Sequence, residues 1–159
     1  MANEQEFAET FWNSFQSDMT AMVGTKAVHP KPMTAQFDDD SRTVYFFTAK
    51  DTDLAENAST PTPATLIYAA KGHDIFATVE GTLKTDNDRG RIDRLWNRYV
   101  AAWFEGGKDD PRLCLLAFEP GQAEIWKDAS SVVAGVKLFL GMGDPKEDYR
   151  DKVATVRLD

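Results

Sequence analysis

The chain has 159 residues and a mass of 17.8 kDa, with 42% hydrophobic and 11% aromatic residues, so a single domain spanning 1–159 can bury its own core without a metal or disulfide staple. Its 18 lysines and arginines against 26 aspartates and glutamates give a formal charge of -8, which disfavours nucleic-acid binding while leaving room for one small anion held by local cations. A lone cysteine, Cys114, excludes an intramolecular disulfide, no apolar run approaches the roughly 20 residues of a membrane span, and without a charged-then-apolar leader the expected location is the cytoplasm.

From Glu4 to about Ser17, Phe7, Phe11 and Phe15 recur every four residues, which predicts an amphipathic helix. Met19 to Val23, closed by Gly24, reads as a first strand, and Lys31 to Phe37 alternates with Met33, Ala35 and Phe37 on one side. Asp38-Asp39-Asp40-Ser41 is turn-rich, so Thr43 to Thr48 completes a hairpin. Asp51 or Thr52 can cap a short helix through Leu54 and Ala55, which Pro61 and Pro63 cut off. Ala64 to Ala70 and Asp74 to Leu83 form a second hairpin around Lys71-Gly72-His73. Thr85 and Asp88 open a longer helix whose stripe includes Ile92, Leu95, Trp96, Tyr99, Val100 and Trp103, stopped by Gly106-Gly107. A third hairpin, Arg112 to Phe118 with Gln122 to Lys127, is expected to turn at Pro120-Gly121. Val132 to Leu140 predicts a last helix and Val153 to Leu158 a last strand. Consecutive hairpins with few helices point to a mainly β antiparallel barrel with peripheral helices, and the missing G-x-G-x-x-G turn disfavours a parallel nucleotide fold.

Two histidines, His29 and His73, cannot make a histidine-rich metal site. Cys114 lies in the apolar run Leu113-Cys114-Leu115-Leu116, where packing is the simpler role than catalysis. No G-x-S-x-G elbow occurs, and Asp38-Asp39-Asp40 reads as a solvated turn. The segments Lys31-Pro32-Met33-Thr34 and Tyr45 to Thr52 carry more information. Lys50 offers a point charge, Thr48 and Thr52 offer hydroxyls, and the start of the short helix adds N–H groups, a set suited to a phosphate. Trp96, Trp103, Phe104 and Trp126 could wall a flat ring; Trp96 fits the core stripe best, and Trp126, at a strand end with Glu124 and Lys127 about it, can reach an edge or an interface.

Taken in order, Lys31-Pro32-Met33, Tyr45 to Thr52, Val79-Glu80-Gly81, Leu95-Trp96, Trp103 to Pro111 and Ala123-Glu124-Ile125-Trp126 resemble the general stress protein branch of the pyridoxamine 5′-phosphate oxidase-like flavoproteins, from roughly Phe7 to Leu158. The resemblance implies a split β-barrel and a homodimer holding FMN in two equivalent clefts between subunits. It also implies that Lys31 reaches the FMN phosphate, that Pro32, Met33 and Thr34 run along the isoalloxazine, and that Phe46, Phe47 and Thr48 lie beside the ribityl chain and phosphate. Lys50 and Thr52 correspond to the phosphate-binding turn and Trp126 to a tryptophan that approaches the flavin. Two departures follow. Where the oxidase has an arginine and a lysine after the turn serine, this chain has Asp53 and Leu54, which weakens the anion site. No histidine occurs after His73, so the motif that grips pyridoxine phosphate is missing and oxidation of that vitamer is not expected. The expected function is FMN binding with flavin redox activity on an unidentified small molecule, with no side chain nominated as acid or base. The alternatives are a flavin-binding or flavin-buffering stress protein without turnover, and an apo barrel that meets a protein partner.

Overall fold

The computed structural model describes residues 3–38, 42–127 and 152–159. Helix α1 (Glu4–Ser17) starts where the Asn3 side chain accepts a hydrogen bond from the Glu6 N–H, and its four-residue phenylalanine spacing buries Phe7, Phe11 and Phe15 on one face. The rings of Phe11 and Phe15 lie 5.8 and 5.0 Å from that of Tyr68, so α1 closes over the barrel through aromatic packing.

Among the described residues, eight strands form one antiparallel sheet: β1 (Thr20–Thr25), β2 (Lys31–Thr34), β3 (Gln36–Phe37), β4 (Val44–Ala49), β5 (Thr62–Ala69), β6 (Ile75–Thr85), β7 (Leu113–Lys127) and β8 (Val153–Arg157). Their order is β2-β1-β5-β6-β7-β4-β3, with β8 also on β7. The two ends of this order are halves of the single predicted strand Lys31 to Phe37, broken at Ala35, whose N–H donates to the Met19 carbonyl at 2.6 Å. The first half pairs with β1 (Lys31 with Val23, Met33 with Ala21) and the second with β4 (Gln36 with Tyr45). This change of partner nearly closes the barrel. Among the described residues β2 and β4 share no ladder pairs, so a split remains between them.

Alternation puts Val23, Phe46, Leu66, Val79, Leu116 and Ile125 inside with the α1 phenylalanines. A second core forms outside the barrel, where Tyr45, Leu113 and Leu115 meet Ile92 and Leu95 of α3 (Arg89–Leu95) and Val100 of α4 (Arg98–Ala101). The short helix α2 (Asp53–Asn57) is capped by Thr52, as one of the two expected caps.

Three expectations are corrected. The helix expected from Thr85 to Trp103 is two helices: Trp96 turns extended at the end of α3, and Asn97 recaps the chain by accepting from the Tyr99 and Val100 N–H groups. Thr85 ends β6, and Asp88 is the cap of α3. The hairpin expected at Pro120-Gly121 is absent, because β7 runs straight through. Its register against β6 shifts between the pairs Val79 with Ala123 and Gly81 with Pro120, leaving Gly121 and Gln122 opposite Glu80 in a β-bulge. The bulge lies where β7 changes its other neighbour: its pairing with β4 reaches Phe118, and its pairing with β8 starts at Gln122. The turn expected at 38–41 falls mostly, and the helix expected over 132–140 wholly, outside the described residues.

Candidate functional site

The split between β2 and β4 opens into a cleft of about 420 Å³, within the range of small-ligand sites. Pro32, Met33 and Thr34 of β2 form one wall and Phe47, Thr48 and Ala49 of β4 another. The α3–α4 region supplies the rest through Tyr99, Val100, Trp103 and Phe104, with Gln36 and Arg112 at the border. Tyr99 and Trp103, both on the predicted helical stripe and the latter also read as a wall for a flat ring, are 70% and 80% exposed. The break at Asn97 is the physical reason: it re-aims the second half of the stripe toward the cleft while Val100 and Phe104 stay buried.

Of the ten residues singled out by resemblance, Pro32, Met33, Thr34, Phe47 and Thr48 line this one cleft. Lys31 begins β2 at the same border, where its ammonium pairs with the Asp53 carboxylate, 44% and 56% exposed respectively. Thr52 stands beside Thr48, their hydroxyl oxygens 3.3 Å apart; the Thr52 hydroxyl donates to the Ala49 carbonyl at 2.8 Å and accepts from the Ala55 N–H. Phe46 is fully buried inside the barrel. Lys50 donates its backbone N–H to the Arg112 carbonyl, while its side chain lines a separate hollow with Glu56, Thr85 and Cys114. Trp126 lies on the outer sheet face in a third hollow with Ile67, Ala69, Phe76 and Thr78. One chain therefore brings the Lys31, Thr48 and Thr52 group together with the ring walls, and keeps Trp126 apart from them.

The electrostatics are those of cations held by carboxylates. The Lys31 ammonium and the Leu54 N–H keep the Asp53 carboxyl below its ordinary pKa. Arg112 donates to Asp110, and Asp110 also accepts from the Gly106 and Arg112 backbone N–H groups, which holds its pKa at about 2. Burial pushes the Cys114 thiol upward, in keeping with a packing role. Among the described residues that line the cleft, Arg112 brings the one formal charge, and no carboxylate, imidazole, amine or thiol faces in. Such a site can clasp a flat apolar ring and offer hydroxyls and a bordering ammonium to an anionic tail. Trp103 and Phe104, read from the sequence as walls for a flat ring, do line the cleft, whereas Tyr99, which fell on the helical stripe, and Arg112 were missed; the sequence Asp110-Pro111-Arg112, an acid two residues before a base at a strand start, was the available signal for the latter.

Comparison with known proteins gives a consistent picture. A family model described as pyridoxamine 5′-phosphate oxidase like matches residues 6–142. General stress protein 26 of Bacillus subtilis (strain 168) is 36% identical over 113 residues, 69% of this chain and 79% of that protein. Among solved structures, the general stress FMN/FAD binding protein of Xanthomonas citri is 43% identical, with a TM-score of 0.75 over 80% of this chain and 92% of that one. A general stress protein 26 type structure from Jannaschia sp. CCS1 is 30% identical, with a TM-score of 0.78 over 96% of this chain and 99% of its own.

Proposed function

Because this chain belongs to the pyridoxamine 5′-phosphate oxidase-like family, in its general stress protein branch, we propose that it is a homodimeric flavoprotein holding FMN in the split between β2 and β4. The observation that carries the reading is the meeting of apolar ring walls with Lys31, Thr48 and Thr52 at one border of one cleft. A planar ring against Pro32, Met33 and Phe47 would point its phosphate tail toward that border. Of the two lysines read as phosphate ligands, Lys31 is the one that borders the cleft, with Thr48 as the hydroxyl donor. Trp126 is apart from the cleft in its own chain, which supports a second wall contributed by the partner subunit across a two-fold axis.

FMN, when bound, supplies reversible electron transfer. The residues of this chain bind and orient it and exclude water through Trp103 and Phe104. Among the described residues the cleft lining offers no carboxylate, imidazole, amine or thiol, and its side-chain hydroxyls are those of Thr34, Thr48 and Tyr99. That observation favours a second reading, a flavin-binding or flavin-buffering protein without turnover, alongside an oxidoreductase acting on a small molecule.

Flavin fluorescence titration tests the assignment. Lys31→Ala should weaken FMN binding by roughly tenfold to a hundredfold, the equivalent of one charge-assisted hydrogen bond of about 1.5–3 kcal/mol, and leave riboflavin, which lacks the phosphate, unchanged. A colourless protein that ignores added FMN would overturn the reading and leave the barrel as a surface for a protein partner.

A further inference from the structure

We propose that Asp53 is a built-in competitor for the flavin phosphate, which makes the flavin of this protein an exchangeable ligand. The inference rests on the reading of the cleft as an FMN site and adds to it a residue that sets affinity and residence time. Asp53 is the first residue of α2, and its carboxylate is fixed twice, by the Lys31 ammonium and by the Leu54 N–H at 2.9 Å. Lys31 is also the cation that borders the cleft beside Pro32. An incoming phosphate thus meets an ammonium that already has an anion. If Lys31 turns to the phosphate it gives up Asp53; if it keeps both, two anions crowd one cation. Either way binding of the phosphate is weakened, and riboflavin is not affected.

The neighbouring groups deepen the effect. The Thr52 hydroxyl proton is already donated to the Ala49 carbonyl, so Thr48 is the donor in the Thr48–Thr52 pair and would give up that contact to turn toward a phosphate. Arg112, the other cation at the border, is held by Asp110. Lys31 and Arg112 are therefore each paired with a carboxylate of the chain, while the Arg98 guanidinium lies over the Tyr99 ring. The site is arranged to recognise a phosphorylated flavin and also to let it go.

The test measures FMN and riboflavin affinity, and the FMN release rate after dilution, for the wild type, Asp53→Asn, Lys31→Ala and the double variant. Asp53→Asn keeps an acceptor for the Leu54 N–H while removing the charge. It should raise FMN affinity roughly tenfold, mostly through slower release, with riboflavin unchanged. The gain should shrink in the Lys31→Ala background. Asp53→Ser should give the same direction, and thermal melting of both variants separates a folding defect from a binding effect. No gain, a loss, or an equal gain for riboflavin overturns the competitor role. If Lys31→Ala loses FMN selectively while Asp53→Asn gains nothing, this inference alone fails. If neither FMN nor riboflavin binds the wild type, the flavin reading itself fails.

Discussion

Asp110 is a carboxylate with its side chain 5% exposed, and it sits where the turn Gly107–Asp109 passes into β7. Four donors surround it: the Gly106 and Arg112 backbone N–H groups at 3.1 and 2.9 Å, and two guanidinium nitrogens of Arg112 at 3.4 and 3.3 Å. All of them favour the ionised form, so its pKa falls from 3.8 to about 2. A carboxyl with a depressed folded pKa stabilises the fold above its unfolded value and loses that contribution as pH falls through the folded one. Asp110→Ala should therefore lower the melting temperature by several degrees at neutral pH, with the gap to wild type constant above pH 4 and closing between pH 4 and 2. A gap that does not change over that interval would count against the assignment. The same residue aims Arg112 at the cleft, so the variant should also loosen that border.

At the scale of elements, Gly81 is a point where β6 leaves no room for a side chain against β7. A Cβ placed there would stand 2.4 Å from the Glu119 carbonyl oxygen and 2.7 Å from the buried Phe118 ring, neither of which can yield cheaply. Gly81→Ala should destabilise the protein by about 1–3 kcal/mol in urea unfolding, the range for overpacking a tight interior. Much of the fold was legible in the sequence because period-two and period-four patterns are local: α1 agrees with its prediction end to end, and the strands agree to within a few residues. Pro120-Gly121 misled because its meaning depends on a distant partner. A proline and glycine between two apolar runs is locally a turn signal, whereas here the missing N–H and missing side chain serve a bulge facing β6 and a change of neighbour. Asn97 misled in a similar way, since the apolar stripe continues across the break between α3 and α4 and only the cap announces it. The β2 and β4 walls of the cleft were legible from their motifs, and Trp103 and Phe104 from their aromatic character; Tyr99 was not, because it carried the same periodicity as true core residues.

At the scale of the whole molecule, the proposed dimer has a surface suited to it. Met22 and Ile67, opposite one another on β1 and β5, are 38% and 39% exposed, and Ile67 shares a hollow with Phe76 and Trp126. An apolar band of this kind across a sheet face is typical of the centre of an interface. Ile67→Asp should yield a monomer where the wild type is a dimer, and FMN affinity should fall with it by roughly tenfold or more, because a buried charge opposes association. Linkage also requires FMN to tighten the wild-type dimer. Sedimentation over a dilution series checks both; a monomer with full flavin affinity, or a dimer indifferent to FMN, would rule out a shared site.

The change of partner at Ala35 has a consequence for solubility. A barrel with a split has two strand edges along the gap, and such edges invite strands of other molecules to add on. Here one edge is β2, four residues long, with Lys31 at its start and Pro32 next to it. Proline has no N–H to offer an added strand, and a lysine at an edge resists apolar neighbours. The residues that line the gap therefore also guard it against edge-to-edge strand addition.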